Sequence, residues 1–213
     1  MRKKKVMVLI LIILFVLSGF RLSAQDSIKK KAFISIHTGC YIPTANDFNK
    51  TYGSIIFING LSIAFPISNH NLMLYGKAMF FKKEGTPIIY HFTSINGVSN
   101  TYTTQEGSVF ISHYLFNLGF QYNILLKNHF QLITNAGLTF IKSNEKSDNP
   151  IAYSSNGSGF SGFFIGVGLE RKFEKIPLSL FSECQYNSTL TILKVYNLDY
   201  SAINLSIGLR YYF

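Results

Sequence analysis

From about residue 33 onward, apolar and polar side chains alternate with a period of two, the pattern of β-strands with two unlike faces. The last strand shows it most clearly. Its alternate positions are Ile203, Leu205, Ile207, Leu209, Tyr211 and Phe213. The positions between them are small, polar or charged, except for Tyr212 at the end. Since no segment keeps a period of 3.6 over several turns, the chain is predicted to be all-β.

Clusters of Gly, Pro, Asn and Ser divide this part of the chain into separate strands. The predicted strands are 33–42, 54–65, 72–81, 109–123, 129–141, 159–171, 177–187 and 200–213. The alternation is less regular in the second and third. Long and short connections alternate, as in membrane barrels with external loops and periplasmic turns. We therefore expect the termini in the periplasm, and the following segments outside the cell: 43–53, 82–108, 142–158 and 188–199.

Composition decides which face of the strands points outward, because a soluble barrel has the same period turned inside out. Charged residues make up only 14% of the chain, whereas a soluble surface alone carries roughly 25 to 35%. The polar faces consist mainly of Gly, Asn, Ser, Gln and Thr, which suit a narrow interior. Backbone groups in a bilayer must all be paired, so the prediction is a closed antiparallel eight-stranded transmembrane up-and-down β-barrel.

Aromatic residues occur at both ends of the predicted apolar band. Phe130 and Phe140 lie ten positions apart, and both belong to the alternate positions that are predicted to face outward. At about 3.3 Å per residue and about 40° of tilt, this spacing is roughly 25 Å, the height between the two aromatic girdles of a membrane barrel. The pairs Phe57 and Phe65, and Tyr114 and Tyr122, are spaced a little more closely.

The N-terminus is predicted to be a signal peptide. A basic leader, Met1–Lys5, precedes an apolar run too short to span a bilayer, and the run is followed by Leu22-Ser23-Ala24. This divides the chain into a signal peptide (1–24), a periplasmic tail (25–32) and the barrel domain (33–213). Cleavage leaves 15 basic and 10 acidic residues, a formal charge of about +5. We therefore expect no nucleic-acid partner.

Four charged residues are predicted to point into the barrel: Lys77, Glu170, Glu183 and Arg210. An unpaired charge in such an interior is costly. We therefore expect Glu183 to face Lys77 at mid-height and Glu170 to lie near Arg210 toward the periplasmic end. An interior filled by paired charges is the favoured interpretation of this charge plug. A gated ion path is the alternative.

Residues suited to metal binding or catalysis are scattered. The five His show no metal-ligand spacing, so no metal or cofactor is predicted. Cys40 and Cys184 fall on strands that are not neighbours and are expected to face lipid without forming a disulfide. Ser112-His113 and His91-Phe92-Thr93 are the nearest candidates for Ser/His catalysis. Neighbours on a strand face opposite ways, so Ser112 and His113 are not expected to cooperate.

The C-terminal residues Leu205, Ile207, Leu209, Tyr211 and Phe213 look like the sorting signature of bacterial outer-membrane proteins. The resemblance implies that the barrel-assembly machinery engages the last strand. From Phe33 onward the chain resembles small eight-stranded barrels of the OmpA/OmpX type. The signal ending Leu22-Ser23-Ala24-Gln25 is similar to those of Bacteroidetes, in which β-barrel outer-membrane proteins and PorT-like chains are common.

These features favour a non-enzymatic outer-membrane barrel with a packed interior and external loops for contact or envelope integrity. The polar segment 82–108 is expected to extend the strands as a hairpin that could recruit a partner by strand addition. A PorT-like accessory of protein secretion is the alternative, and a narrow porin or a lipid-modifying enzyme is a third possibility. The expected partners are outer-membrane lipid, the assembly machinery and an extracellular or periplasmic protein.

Overall fold

A computed structural model describes residues 31–67, 71–95, 98–105, 107–126, 129–148, 158–190 and 199–213. The predicted signal peptide at 1–24 lies outside the described residues, as does most of the predicted tail at 25–32.

The described chain forms strands joined by short connections and one short helix. In chain order the elements are β1 (Phe33–Pro43), α1 (Asn46–Tyr52), β2 (Ile56–Pro66), β3 (Leu72–Gly85), β4 (Ile88–Ile95), β5 (Val98–Gln105), β6 (Val109–Leu125), β7 (Phe130–Ser147), β8 (Ser158–Lys172), β9 (Leu178–Leu190) and β10 (Ala202–Tyr212). No helix in the described part of the chain is long and apolar enough to cross a membrane.

Eight of the strands close into a barrel in the order β1-β10-β9-β8-β7-β6-β3-β2, and β1 pairs with β2 to complete the ring. Every neighbouring pair is antiparallel. Closure leaves no strand edge of the ring without a partner, which is the requirement for backbone groups in hydrocarbon. The predicted fold class is confirmed, and each barrel strand overlaps one of the predicted strands.

The alternation along each strand separates the two faces of the wall. In β6, Phe116 and Leu118 are about half exposed, whereas Asn117 and Gln121 are buried. The register places like faces side by side, because Leu118 pairs with Leu138 and Asn117 pairs with Thr139. The result is an apolar outer surface around an interior that buries charged and amide side chains, the reverse of a soluble protein.

The two ends of the barrel differ. At the end we call the turn end, β1 begins, β10 finishes and short connections follow β2, β6 and β8. The opposite end, the loop end, carries α1 and a separate two-stranded sheet of β4 and β5. The segment 82–108, predicted as an external connection that extends the strands as a hairpin, contains the end of β3 and the β4–β5 hairpin, which forms a sheet separate from the barrel. The helix α1 was not predicted from the sequence.

Helix α1 folds into the mouth of the loop end. Its Phe48 and Tyr52 are buried, one turn apart on one face. The backbone N–H of Thr86 donates to the carbonyl of Thr51 at 3.0 Å, which ties the end of the helix to the chain after β3. Gly53, with φ of 94°, follows the helix in a conformation that favours glycine.

Candidate functional site in the barrel interior

The interior toward the turn end is organised around one buried ion pair. Arg210 Nη1 donates to Glu170 Oε2 at 2.7 Å, and both side chains are fully buried. The guanidinium lies between two rings, with its carbon 4.2 Å from the centroid of Phe181 and 4.4 Å from that of Phe33. Stacking on aromatic faces suits a planar cation that is shielded from water.

Glu170 is satisfied by several donors besides Arg210. Gln131 Nε2 donates to its Oε2 at 2.5 Å, and the hydroxyls of Ser179 and Tyr212 both donate to its Oε1. These partners come from β7, β9 and β10, so the carboxylate links β8 to three other strands. A buried carboxylate needs such saturation, because its desolvation is otherwise uncompensated.

A second ion pair lies further along the barrel. Lys77 Nζ lies 2.5 Å from Glu183 Oε1, 3.2 Å from Gln185 Oε1 and 3.5 Å from Ser206 Oγ, so three acceptors match the three protons of the ammonium. Asn135 Nδ2 donates to the other Glu183 oxygen at 3.0 Å. The structure thus brings together Lys77 with Glu183, and Glu170 with Arg210.

Amides and hydroxyls continue the network toward the loop end. Gln185 Nε2 donates to Asn187 Oδ1 at 2.8 Å. Thr139 Oγ1 lies 3.1 Å from that oxygen and 2.7 Å from Asn117 Oδ1. All four side chains are buried. Hydrogen-bonded polar side chains therefore extend across the middle of the barrel interior.

Two glycines make room for His37 in this region. A Cβ on Gly60 would lie 2.4 Å from His37 Nε2, and one on Gly208 would lie 2.7 Å from His37 Cβ. The His37 ring packs edge-on to Phe181, with centroids 6.2 Å apart. Neither of its nitrogens has a hydrogen-bond partner among the described residues. The ring acts as a packing element next to the Lys77 pair.

The loop-end half of the interior is aromatic. We call this group the aromatic cluster; its members are Tyr41, Phe48, Tyr52, Phe81, His113 and Tyr200. Phe81 stacks on His113 with centroids 4.7 Å apart, and Tyr200 stacks on the same ring at 5.5 Å. The Tyr41 hydroxyl donates to the Tyr200 carbonyl at 2.8 Å. Sequence analysis missed this cluster, although inward aromatics in β1 and β3 are its signal.

His113 pairs with Ser143, not with the neighbouring Ser112. Its Nδ1 lies 2.6 Å from Ser143 Oγ, and both residues are fully buried. Ser112 points to the opposite face of β6. A Ser/His pair enclosed by aromatic rings offers a substrate no access to the hydroxyl, so its geometry fits a packing role. His91, Phe92 and Thr93 lie in β4, whose side chains at these positions are outside the description.

A tyrosine and a glutamate join α1 to β7 at the loop end. The side chains of Tyr52 and Glu145 hydrogen-bond each other. Burial, and then the adjacent Glu145 carboxyl, raise the pKa of the Tyr52 phenol above its usual range. Burial also raises the pKa of the Glu145 carboxyl, although the hydrogen bond from Tyr52 opposes this change. The helix is therefore docked against a carboxyl whose ionised form is disfavoured by burial.

The remaining predicted residues lie on the outer surface. Leu205, Ile207, Leu209, Tyr211 and Phe213 are all partly exposed on the outer face of the closing strand or just after it. Cys40 and Cys184 are free and flank Leu205 on either side, which puts them roughly 10 Å apart, beyond disulfide reach. Among the described residues no group of His, Cys, Asp or Glu could hold a metal ion.

Comparison with known proteins gives likeness in structure alone. No protein-family model matches the chain, and no curated protein matches it. Among solved structures, the outer-membrane protein OprG of Pseudomonas aeruginosa matches with a TM-score of 0.60 at 12% identity, over 87% of this chain and 97% of that one. Neisserial surface protein A matches with a TM-score of 0.56 at 12% identity, over 85% and 97%.

A major outer-membrane protein of Thermus thermophilus matches with a TM-score of 0.52 at 13% identity, over 85% of this chain and 99% of that one. At such low identity the likeness establishes the fold, not a shared activity. The chain therefore has the closed eight-stranded antiparallel barrel that these small outer-membrane proteins have.

Proposed function

We propose that this protein is an integral, non-enzymatic barrel of a bacterial outer membrane, with a packed interior and a loop end used for contact. The observation that carries the proposal is the inverted distribution of polarity. Large apolar side chains are exposed all around the wall, such as Phe57 at 78%, Leu138 at 57% and Ile207 at 52%. The charged side chains of Glu170 and Arg210 are fully buried. Only hydrocarbon makes this arrangement favourable.

The filled interior supports a role without conduction or catalysis. Two ion pairs and a row of hydrogen-bonded amides occupy the middle of the barrel, and the aromatic cluster occupies the loop end. An eight-stranded barrel holds little more than its own side chains. A polar surface for contact is then provided by the segments at the loop end, beyond the barrel wall. The β4–β5 hairpin pairs only with itself in the described residues, so its outer edges are available for strand addition.

The length of the connections supports an orientation with both termini in the periplasm. Three short connections at the turn end join β2 to β3, β6 to β7 and β8 to β9, whereas the loop end carries α1 and the hairpin. Outer-membrane barrels have short periplasmic turns and longer external loops. The C-terminal strand with Tyr211 and Phe213 would then present the sorting signature to the assembly machinery from the periplasm.

Membrane fractionation and heat-dependent gel migration test the architecture. We expect the full chain in the outer-membrane fraction, and a folded form that migrates faster than the boiled form. A processed chain that stays monodisperse in buffer without detergent would contradict the proposal. Sustained conductance across planar bilayers would contradict the packed interior.

Cross-linking through the β4–β5 hairpin tests the contact role. Partners from outside the cell are expected with the intact hairpin and are lost when residues 88–105 are replaced by a short Gly/Ser turn. Stable periplasmic partners that persist without the hairpin would instead favour a PorT-like secretion accessory. An altered lipid A mass profile in a deletion strain would favour a lipid-modifying enzyme.

A further inference from the structure

Three lysines form a basic triangle on the outer wall of the barrel near the loop end. Lys82 in β3 and Lys142 and Lys146 in β7 are exposed and occupy outward positions. Lys82 pairs with Ser112 across β3 and β6, and Ser112 pairs with Asn144 across β6 and β7. At about 4.8 Å between strands and about 3.4 Å per residue, the Cα atoms of the triangle lie roughly 12 to 14 Å apart. Their flexible ammonium groups can converge over Ser112 and Asn144 in the centre.

The height of the triangle matches a lipid headgroup. Directly toward the membrane from it lie Phe80, Tyr114 and Phe140, all on the outer face of the same three strands. Tyr114 pairs with Phe80 on one side and with Lys142 on the other. Aromatic girdles mark the boundary between hydrocarbon and headgroups. Lys82 and Lys142 therefore lie one outward position beyond Phe80 and Phe140 toward the loop end, and Lys146 lies two outward positions further along β7, all on the side of the wall that lipids surround.

The charge is confined to one side of the barrel. Within the described residues, the outward positions of β1, β2, β9 and β10 carry no charged side chain. No ion pair to Lys82, Lys142 or Lys146 is recorded in the described part of the chain. Two exposed carboxylates lie near the triangle, Glu84 and Asp148, and Glu84 accepts a hydrogen bond from Ser108 Oγ at 3.1 Å. The exposed Lys83 adds a fourth cation, so the patch remains positive.

We propose that the basic triangle binds the phosphorylated headgroup of a lipid in the outer leaflet. The inference rests on the proposed membrane location with the loop end outside. A lipid phosphate just above the aromatic girdle lies within reach of the three flexible lysine side chains, and Ser112 and Asn144 supply neutral polar groups between them. A soluble ligand would have to displace the surrounding lipids to reach the same positions.

The test uses the full mature chain folded into phosphatidylcholine vesicles that contain a minor fraction of bisphosphorylated lipid A, or of the same lipid with its phosphates removed. After gentle extraction, mass spectrometry measures the lipid that stays with the barrel. We expect selective retention of the phosphorylated lipid. The triple variant K82Q/K142Q/K146Q should retain on the order of 100 times less, from about 1 kcal/mol for each lysine near a membrane surface. Gel migration of the unboiled sample reports insertion in the same vesicles.

A matched variant removes three cations at the turn end, K31Q/R171Q/K175Q, and should retain the phosphorylated lipid like the wild type. Equal retention by K82Q/K142Q/K146Q and wild type, or equal loss in the matched variant, would overturn the inference. Inhibition by inorganic phosphate alone would also overturn it, because the site would then take free phosphate. Failure of the wild type to insert would refute the membrane location, whereas insertion without lipid selectivity refutes only the headgroup site.

Discussion

The two halves of the interior are filled by different chemistry. Toward the turn end, Glu170 and Arg210 form an ion pair whose oxygens and nitrogens are held by neighbours on several strands. Toward the loop end, Phe81, His113 and Tyr200 stack on one another. The first half depends on matching charges, because ions leave water only when they are paired. The second depends on volume and shape, because aromatic rings gain by contact.

The proposed membrane location gives a reason for this difference. In that location the charged half lies at the depth of the apolar band, where polar side chains on the inner face let opposite strands be cross-linked by hydrogen bonds. The aromatic half lies toward the loop end, where α1 covers it with Phe48 and Tyr52. A hydrophobic cap excludes water from the ion pairs below it, and ion pairs in a dry interior are stronger.

The largest predicted effect comes from breaking one ion pair. Arg210→Met leaves the Glu170 carboxylate buried without its cation, and we expect it to lower the free energy of unfolding by about 4 kcal/mol. Urea unfolding in vesicles, followed by circular dichroism and gel migration, measures this loss. The chain has no Trp, so its Trp fluorescence cannot serve.

The double variant Glu170→Gln/Arg210→Met separates charge from packing. It removes both ions, so more than half of the lost stability should return. If the double variant is as unstable as Arg210→Met alone, packing of Arg210 between Phe33 and Phe181 matters more than its charge.

The stability of the aromatic half should instead depend on the volume of its side chains. Phe81→Ala removes a ring that contacts both Tyr41 and His113, and about 3 kcal/mol of stability should be lost in the same urea experiment. Phe80→Ala is the matched control, because Phe80 is the next residue and faces outward. Fluid lipid can fill the space that it leaves, so the control should lose much less. A loss for Phe81→Ala as small as that for Phe80→Ala would show that the interior at this level is not tightly packed.

The sequence predicted the wall of the barrel better than its contents. Through the middle of β6, β7, β8 and β10, most outward positions are apolar and most inward positions are polar or small, so the period of two is plain. It is less regular in β2 and β3 because both faces become apolar near the loop end. Ile58 and Phe81 are buried there, and their neighbours Phe57 and Phe80 are exposed. The irregular pattern is thus the trace of the aromatic cluster.

Of the interior, only the charged residues could be assigned from sequence. The alternation of inward and outward positions placed four charged residues inside the barrel, and the requirement that buried charges be paired suggested their partners. These residues are Lys77, Glu170, Glu183 and Arg210. That the charges exclude ions stays a prediction. Helix α1 was missed because seven residues are too few for a helical period, and Ala45 before it provides no side-chain cap. Contacts such as His113 with Ser143 depend on a register that the sequence does not reveal.

A substitution at the wall tests how closely the charged half is packed. Gly60→Ala would place a Cβ 2.4 Å from His37 Nε2 and 2.5 Å from the Ala78 carbonyl oxygen. We expect a loss of about 2 kcal/mol, since the backbone of β3 has to shift. In Gly76→Ala the nearest atom would be 3.7 Å away, on Ile63, so this control should be close to neutral. The unfolding midpoint in urea distinguishes the two, and equal midpoints would contradict the close approach.

The smallest effect concerns pH at the mouth of the loop end, where α1 meets Glu145. Since burial raises the pKa of this carboxyl, the folded state disfavours its ionised form. Stability of the α1 contact should therefore increase as the pH falls through the raised pKa, and decrease as Glu145 ionises. Amide hydrogen exchange at residues 46–52 measures the stability of this contact, and we expect more protection at mildly acidic than at neutral pH.

Glu145→Gln is the control for this titration, because it keeps a hydrogen-bonding partner for Tyr52 without a charge. The Glu145-dependent part of the pH effect should vanish in this variant, with protection at neutral pH at least equal to that of the wild type. An unchanged pH dependence would place the titrating group elsewhere. Loss of the pH effect would instead show that the aromatic half, although built on shape, is closed by one carboxyl whose ionisation loosens the helix over the mouth of the barrel.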